Sequence, residues 1–384
     1  MTRIVSVAPV VPERRHEQAE ITAMLLDLVA GEHPLAPDRR ALMERLHRNC
    51  GVRARHLALP LERYAELDGF TGANDAFLEV GVQLGTRAVR EALERVGLAP
   101  EDVDVVLSTT VTGVAAPSLE ARMVAPLGLR PDVKRIPVFG LGCVAGAAGV
   151  ARLHDHLVGH PDDVAVLLSV ELCSLTVQRD DASTANLVAS GLFGDGAAAV
   201  VLLGERRAAA LGLPGPQVVT SRSRFYPDTA DVMGWDVGGS GFRIVLSKSV
   251  ADVVEDHLAD DLKGFLAAAD LDRADVARWV AHPGGPKVLE AVQRTLELPA
   301  GALRHSWESL AATGNLSSSS VLHVLAATLA DPPPPAGSHG VLLAMGPGFC
   351  AELVLLRWDE RAVRATAGAG AGTTAGAGAG AGAA

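Results

Sequence analysis

Along the chain, stretches in which apolar residues recur every three or four positions alternate with short runs that are almost wholly apolar and β-branched. The segment from about Asp75 to Val96 has the helical spacing, and Val103-Asp-Val-Val-Leu-Ser-Thr-Thr110 after it reads as a strand. Further strands are predicted at Val164 to Val170, Ala197 to Leu203, Trp279 to Ala281 and Val341 to Ala344. Each is nearly all apolar, the pattern of a sheet strand covered on both faces. Helices alternating with buried strands define an α/β protein. The opening, Met1 to Pro12, is short, β-branched and cut by Pro9 and Pro12, so it reads as a first strand and not as a signal peptide.

Two segments echo one another. Phe193-Gly-Asp-Gly leads into the apolar run to Leu203, and Gly340 to Leu356 likewise sets glycines beside a long apolar run. They read as matching ends of two related halves joined within Gly204 to Gln217, where Arg206, Arg207, Pro214 and Pro216 interrupt the apolar pattern. The division expected is 1–210, 211–362 and an Ala/Gly tail over 363–384. The tail has no large side chain to offset the entropy of ordering it, so it is predicted to be disordered and to take no part in chemistry. Asp331 to Gly340, with four consecutive prolines, must be a surface connection.

Composition narrows the function. A chain of 384 residues, 48% hydrophobic, can bury a sizeable core, and its net charge of −11 argues against nucleic acid or an anionic membrane surface as the main partner. An anionic substrate must therefore meet a local basic patch. Cys50, Cys143, Cys173 and Cys350 show neither a CxxC pair nor zinc spacing and read as reduced thiols of a cytoplasmic protein. No uninterrupted apolar run approaches the roughly 18 residues of a membrane span, so no stable membrane insertion is expected.

Three clusters carry chemistry. Val138-Phe-Gly-Leu-Gly-Cys-Val-Ala-Gly-Ala-Ala-Gly149 places Cys143 behind two glycines, at the first turn of a closely packed helix. The positive end of the helix dipole favours the thiolate there and lowers the thiol pKa. Read alone, the same residue is equally a small buried packing side chain. Val280-Ala-His-Pro-Gly-Gly-Pro-Lys-Val-Leu289 places His282 at a strand mouth, where it can donate to a thioester oxygen or exchange protons with a thiol. Ala311-Ala-Thr-Gly-Asn-Leu-Ser-Ser-Ser-Ser320 offers Asn315 either as a turn residue or as an uncharged amide that stabilises an oxyanion. Arg152-Leu-His-Asp-His-Leu-Val-Gly-His160 puts His156 and His160 on one helix face, read as a solvated helix end and not as a metal site. The glycines around Cys143 lack the spacing of a dinucleotide fingerprint, and no P-loop lysine follows.

Cys143, His282 and Asn315 in this order resemble the thiolase superfamily of condensing enzymes. Leu141-Gly-Cys143, Phe193-Gly-Asp-Gly196, His282-Pro-Gly-Gly-Pro286, Gly314-Asn-Leu-Ser-Ser318 and Gly346-Pro-Gly-Phe349 resemble the type III polyketide synthases, the chalcone-synthase-like enzymes, over about Thr2 to Arg357. The resemblance implies a five-layered αβαβα fold of two related halves, the first carrying the nucleophile and the second the histidine and asparagine. It also implies a homodimer with a coenzyme A tunnel leading to an internal cavity. Cys143 would carry the acyl group, while His282 and Asn315 would hold the malonyl carbonyl and stabilise the enolate left by decarboxylation. The histidine would also depress the thiol pKa. Phe193 would be the gate, and Thr112, Ala116, Cys173, Thr176, Ser317 and the loop Gly346, Pro347, Gly348 and Phe349 the cavity wall. Arg53, Arg55 and Lys287 would meet the coenzyme A phosphates. The substrates implied are malonyl-CoA and an acyl-CoA or acyl carrier protein thioester, with no metal or redox cofactor.

The small wall residues leave room in the cavity, and Ser169 to Thr176 resembles bacterial enzymes that take fatty acyl starters and make alkylresorcinols or alkylpyrones. Plant members carry a bulkier methionine where Ala116 falls, which counts against chalcone formation. Two other readings are a single-round ketoacyl synthase III, disfavoured by Pro-Gly-Gly after His282, and a silent acyl-binding paralogue, disfavoured by the intact trio.

Overall fold

A computed structural model describes residues 1–30, 35–247 and 249–363. Of the Ala/Gly tail predicted to be disordered over 363–384, all but Val363 lies outside the described residues. Among these, nine strands form one mixed sheet in the spatial order Val276–Ala281, His339–Gly346, Cys350–Arg357, Gln217–Phe225, Arg3–Val10, Asp195–Leu203, Val164–Leu172, Val105–Thr110 and Lys134–Phe139. Outward from the central pair, Arg3–Val10 beside Gln217–Phe225, the pairing runs antiparallel, antiparallel, parallel on both sides. The two halves thus share one scheme, with Asp195–Leu203 and Cys350–Arg357 in corresponding places. Lys134–Phe139 adds one further parallel strand to the N-terminal side.

Alternate residues of a strand face opposite ways, and this sorts the apolar runs into layers. Ala197, Ala199, Val201 and Leu203 pack outward with Ile21 and Leu25 of helix Gln18–Ala30 and Leu84 and Ala88 of helix Gly69–Glu94. Ala198, Val200 and Leu202 face inward onto helices Ala145–Gly159 and Ser320–Ala330. Leu342, Ala344, Val354 and Leu356 press on those helices from the other side. Their neighbours Val341, Leu343, Leu353 and Leu355 meet the outer helices Val250–Ala267 and Pro286–Thr295. The result is an αβαβα sandwich. Its middle helices are covered on both faces, and the small residues of Ala145-Gly-Ala-Ala-Gly149 suit that confinement.

Three elements differ from the reading of the sequence. The helix expected from about Asp75 begins at Gly69, because Phe70 packs edge-on against Phe242 at 5.4 Å and tertiary contact overrides the weak helix formers of that turn. The apolar run Gly340 to Leu356 is a hairpin of two strands, broken at Gly346-Pro-Gly-Phe349. The join after Gly204 holds a short helix, Glu205–Leu211, before the chain re-enters the sheet. Among the described residues no helix is long and apolar enough to cross a membrane.

Candidate active site

Cys143 lies in a single 3-10 turn, Gly142–Val144, between strand Lys134–Phe139 and helix Ala145–Gly159. Gly142 has φ 57°, and a Cβ there would stand 2.5 Å from Pro347 Cδ. Only glycine meets both conditions. The Gly346–Phe349 loop of one half therefore presses directly on the cysteine turn of the other. The thiol of Cys143 is buried and donates to Ser317 Oγ at 3.7 Å.

Ser317 itself holds φ 48°, a strained value for a residue with a Cβ. Its N–H donates to Asn315 Oδ1 at 2.8 Å, and Ser320 Oγ donates to the same oxygen at 3.4 Å. These bonds fix the amide's orientation. Asn315 Nδ2 donates to Gly284 O at 3.3 Å and keeps a second hydrogen for a bound group. The backbone N–H of Asn315 donates to Leu192 O at 2.8 Å, and that of Gly194 donates to Asn315 O at 3.0 Å, so Phe193 is held alongside.

His282 ends strand Val276–Ala281, its N–H donating to Leu343 O at 2.9 Å. Its ring lies against Gly284, the residue that accepts from Asn315. Nδ1 is buried without a protein partner. The structure thus links Cys143 to Ser317 and Asn315, and Asn315 to the His282 loop and Phe193.

Burial governs the charges. It pushes the Cys143 thiol up to about 12, against the pull of its bonds to Ser317 and Asn315 and with the Glu171 carboxylate adding to the rise. Burial likewise pushes His282 down to about 3. This reverses the lowered thiol pKa expected from the helix N-terminus and the histidine. A thiolate here would lose its water, and the bonds to Ser317 and Asn315 with a helix dipole do not replace that solvation.

Beneath Cys143 lies Glu171, fully buried near the end of strand Val164–Leu172. It accepts from Val111 N–H at 3.1 Å, from Thr112 Oγ1 at 2.9 Å and from Ser318 Oγ. Burial raises its pKa against these donors. The sequence reading passes over Glu171. The available signal was one carboxylate inside an otherwise apolar strand, a group that must be fully bonded if it is to stay there.

The wall residues divide. Cys173 and Thr176 line, with Phe193, Trp235, Ile244 and Met24, a cavity of about 20 Å³. That is room for about one water, where the sequence reading expected a roomy chamber. Thr112 is committed to Glu171, and Ser317 to Cys143. Ala116 is exposed on the surface loop before Ser118. Pro347 caps the cysteine turn, and the Phe349 ring is buried beside Tyr226 at 6.0 Å. Phe349 anchors its loop in the outer core.

Arg55 also departs from its expected place. It is 2% exposed, with Nε donating to Gln18 Oε1 at 3.0 Å and Nη1 to the carbonyls of Ser190 and Phe193 at 2.7 Å each. It cannot reach a phosphate in solvent. It braces the Phe193 backbone instead, because strand Ala54–His56 turns its side chain inward. Arg53 and Lys287 are exposed and remain available.

Comparison with known proteins bears on the whole arrangement. Residues 16–212 match the model of the FAE1/type III polyketide synthase-like proteins, and residues 217–358 that of the C-terminal domain of chalcone and stilbene synthases. A 1,3,6,8-tetrahydroxynaphthalene synthase of Streptomyces peucetius subsp. caesius is 56% identical over 93% of each chain. A phloroglucinol synthase of Pseudomonas fluorescens is 31% identical over 90% of this chain and 96% of its own. The solved 1,3,6,8-tetrahydroxynaphthalene synthase of Streptomyces coelicolor A3(2) superposes with a TM-score of 0.84 at 30% identity, covering 93% of this chain and 99% of that one.

Proposed function

The chain belongs to the type III polyketide synthases, acyltransferases that condense malonyl-CoA iteratively, and we propose that it builds a polyhydroxylated aromatic ring from malonyl units, starter included. The observation that carries the starter assignment is the 56% identity to a tetrahydroxynaphthalene synthase over 93% of the chain, which supports the same product class.

In this reading the starter thioester brings its carbonyl beside Cys143. Neutral His282 accepts the thiol proton as sulfur attacks, and coenzyme A leaves as its thiol. The extender's carbonyl then takes hydrogen bonds from His282 and from the spare N–H of Asn315. Loss of carbon dioxide leaves an enolate whose oxygen these donors stabilise, and its carbon attacks the Cys143 thioester, releasing the sulfur. Burial serves this route, because water would quench the enolate and hydrolyse the thioester. No step calls for a metal or a redox cofactor. Arg53 and Lys287 are the proposed contacts for coenzyme A phosphates, being exposed and basic on a protein of net charge −11. A homodimer is proposed through strand Lys134–Phe139, a sheet edge with Ile136 and Phe139 exposed. Four free cysteines accord with a cytoplasmic location.

The test is incubation with malonyl-CoA alone, then mass spectrometry of the products. A polyhydroxylated naphthalene or phloroglucinol-type product is expected, absent with Cys143→Ala. The fatty acyl reading requires the opposite: products only after a long acyl-CoA is added, with the mass of an alkylresorcinol or alkylpyrone.

A further inference from the structure

Helix Ala145–Gly159 carries Cys143 at its entrance and His156 in its last turn. Beyond it the chain turns through His160 and Asp163 into strand Val164–Leu172. The tertiary turn adds what the sequence spacing lacked, a carboxylate facing both imidazoles. We propose that His156, His160 and Asp163 form a binding site for a zinc-like divalent cation, separate from the condensing site.

Three observations converge. First, one ligand atom of each residue lies within 4.8 Å of the other two. Any such triangle has a point at most about 2.8 Å from all three atoms, against the ~2.1 Å of a zinc–nitrogen bond. To close that gap the near-parallel rings turn about χ2 so that their lone pairs converge. His156 Nε2 already stands 3.1 Å from Asp163 Oδ2, close to the separation of two ligands on one ion. Second, the imidazoles lie side by side, with ring centroids 4.2 Å apart. The His160 Nδ1–H donates to His156 O at 3.0 Å, which leaves Nε2 as the lone pair that a metal would take.

Third, the turn is held rigidly. The N–H of Asp163 donates to His160 O, that of Gly204 to Asp163 O, and those of Arg206 and Arg207 to Pro161 O. The backbone that carries His160 and Asp163 is therefore fixed before any ion arrives. The carbonyl end of the helix adds negative potential. Lys134 Nζ, 3.7 Å from Asp163, is the competing cation, and being half-exposed it can swing aside. Two imidazoles and one carboxylate suit zinc, nickel or copper better than calcium or magnesium. His160 is exposed, so water completes the shell. Binding would fasten the helix that presents Cys143 to the strand that presents Glu171.

The experiment is calorimetric titration of the chelator-treated full chain with zinc chloride, with a thermal melt in parallel. One zinc per chain and a higher melting temperature are expected. His160→Ala should weaken binding at least tenfold, His156→Ala/His160→Ala should abolish it, and Cys143→Ala should leave it intact. The proposal is overturned by absence of binding at 100 µM zinc, about a hundred times a micromolar dissociation constant, by unchanged affinity in the double variant, or by loss of binding in Cys143→Ala.

Discussion

Gly146 packs one middle helix against Ser318 and Val321 beside the other, and its replacement by alanine tests whether that contact sets the geometry of the site. A Cβ at Gly146 would stand 2.3 Å from Ser318 O and 2.7 Å from Val321 Cγ1. Ordinary contact begins near 3.4 Å, so backbone must separate by about 1 Å. The atoms on either side are not neutral bystanders. Gly146 is three residues from Cys143, and Ser318 adjoins Ser317, which takes the thiol hydrogen bond at 3.7 Å. Overpacking of this kind costs about 1–3 kcal/mol, against a helix-propensity gain of up to about 1 kcal/mol for alanine over glycine. A 1 Å misplacement of reacting groups costs about a hundredfold in rate. Gly159 ends the same helix with nothing within 4 Å of its Cβ position, so Gly159→Ala is the matched control. The measurements are urea unfolding by circular dichroism and malonyl-CoA consumption at saturation. The expectation is that Gly146→Ala loses about 1–2 kcal/mol and about two orders of magnitude in kcat, while Gly159→Ala keeps both. Equal behaviour of the two variants would refute the reasoning.

Three other outcomes follow from the same geometry. Burial lowers His47 to about 4, His282 to about 3 and His323 to about 4, each below the unfolded 6.5. No pH dependence arises from them above pH 6.5, and as pH falls the unfolded chain takes up protons first, so stability drops by about 1.4 kcal/mol per pH unit for each. Asp195, raised to about 6, opposes them below that pH with one proton's worth. Urea midpoints between pH 7 and 5 should fall steeply, less so in His323→Gln, and identical slopes would contradict the account. Arg55→Met should destabilise by about 2–4 kcal/mol, because the carbonyls of Ser190 and Phe193 lose a buried charged donor. It should leave the KM for malonyl-CoA nearly unchanged, whereas Arg53→Ala with Lys287→Ala should raise KM several-fold at constant kcat. Glu171→Gln keeps the volume but turns one acceptor oxygen into a donor facing hydroxyl and N–H donors. A loss of about 2–3 kcal/mol in denaturant unfolding is expected, and wild-type stability would show that the carboxylate is not needed.

The sequence by itself determined the local patterns and the chemistry-bearing motifs. Strand Val164–Leu172 was legible because burial on both faces demands an unbroken apolar run, and the turn at Gly142 because a sharp exit from a strand demands glycine. The order of Cys143, His282 and Asn315 was legible as a resemblance to one family. What the tertiary structure alone decided were the long-range relations. Arg55 reads as a surface cation until strand Ala54–His56 turns it inward to carbonyls more than 130 residues away. Glu171 acquires meaning from Ser318, a donor 147 residues distant. The small residues Cys173 and Thr176 share their cavity with Trp235 and Met24, which come from remote elements. The thiol's acidity turned on how completely the assembled layers exclude water, a property of the whole fold. Local spacing encodes helices, strands and turns because those depend on near neighbours along the chain. Burial, charge and cavity volume depend on which distant segments meet, and only the packed layers fix that.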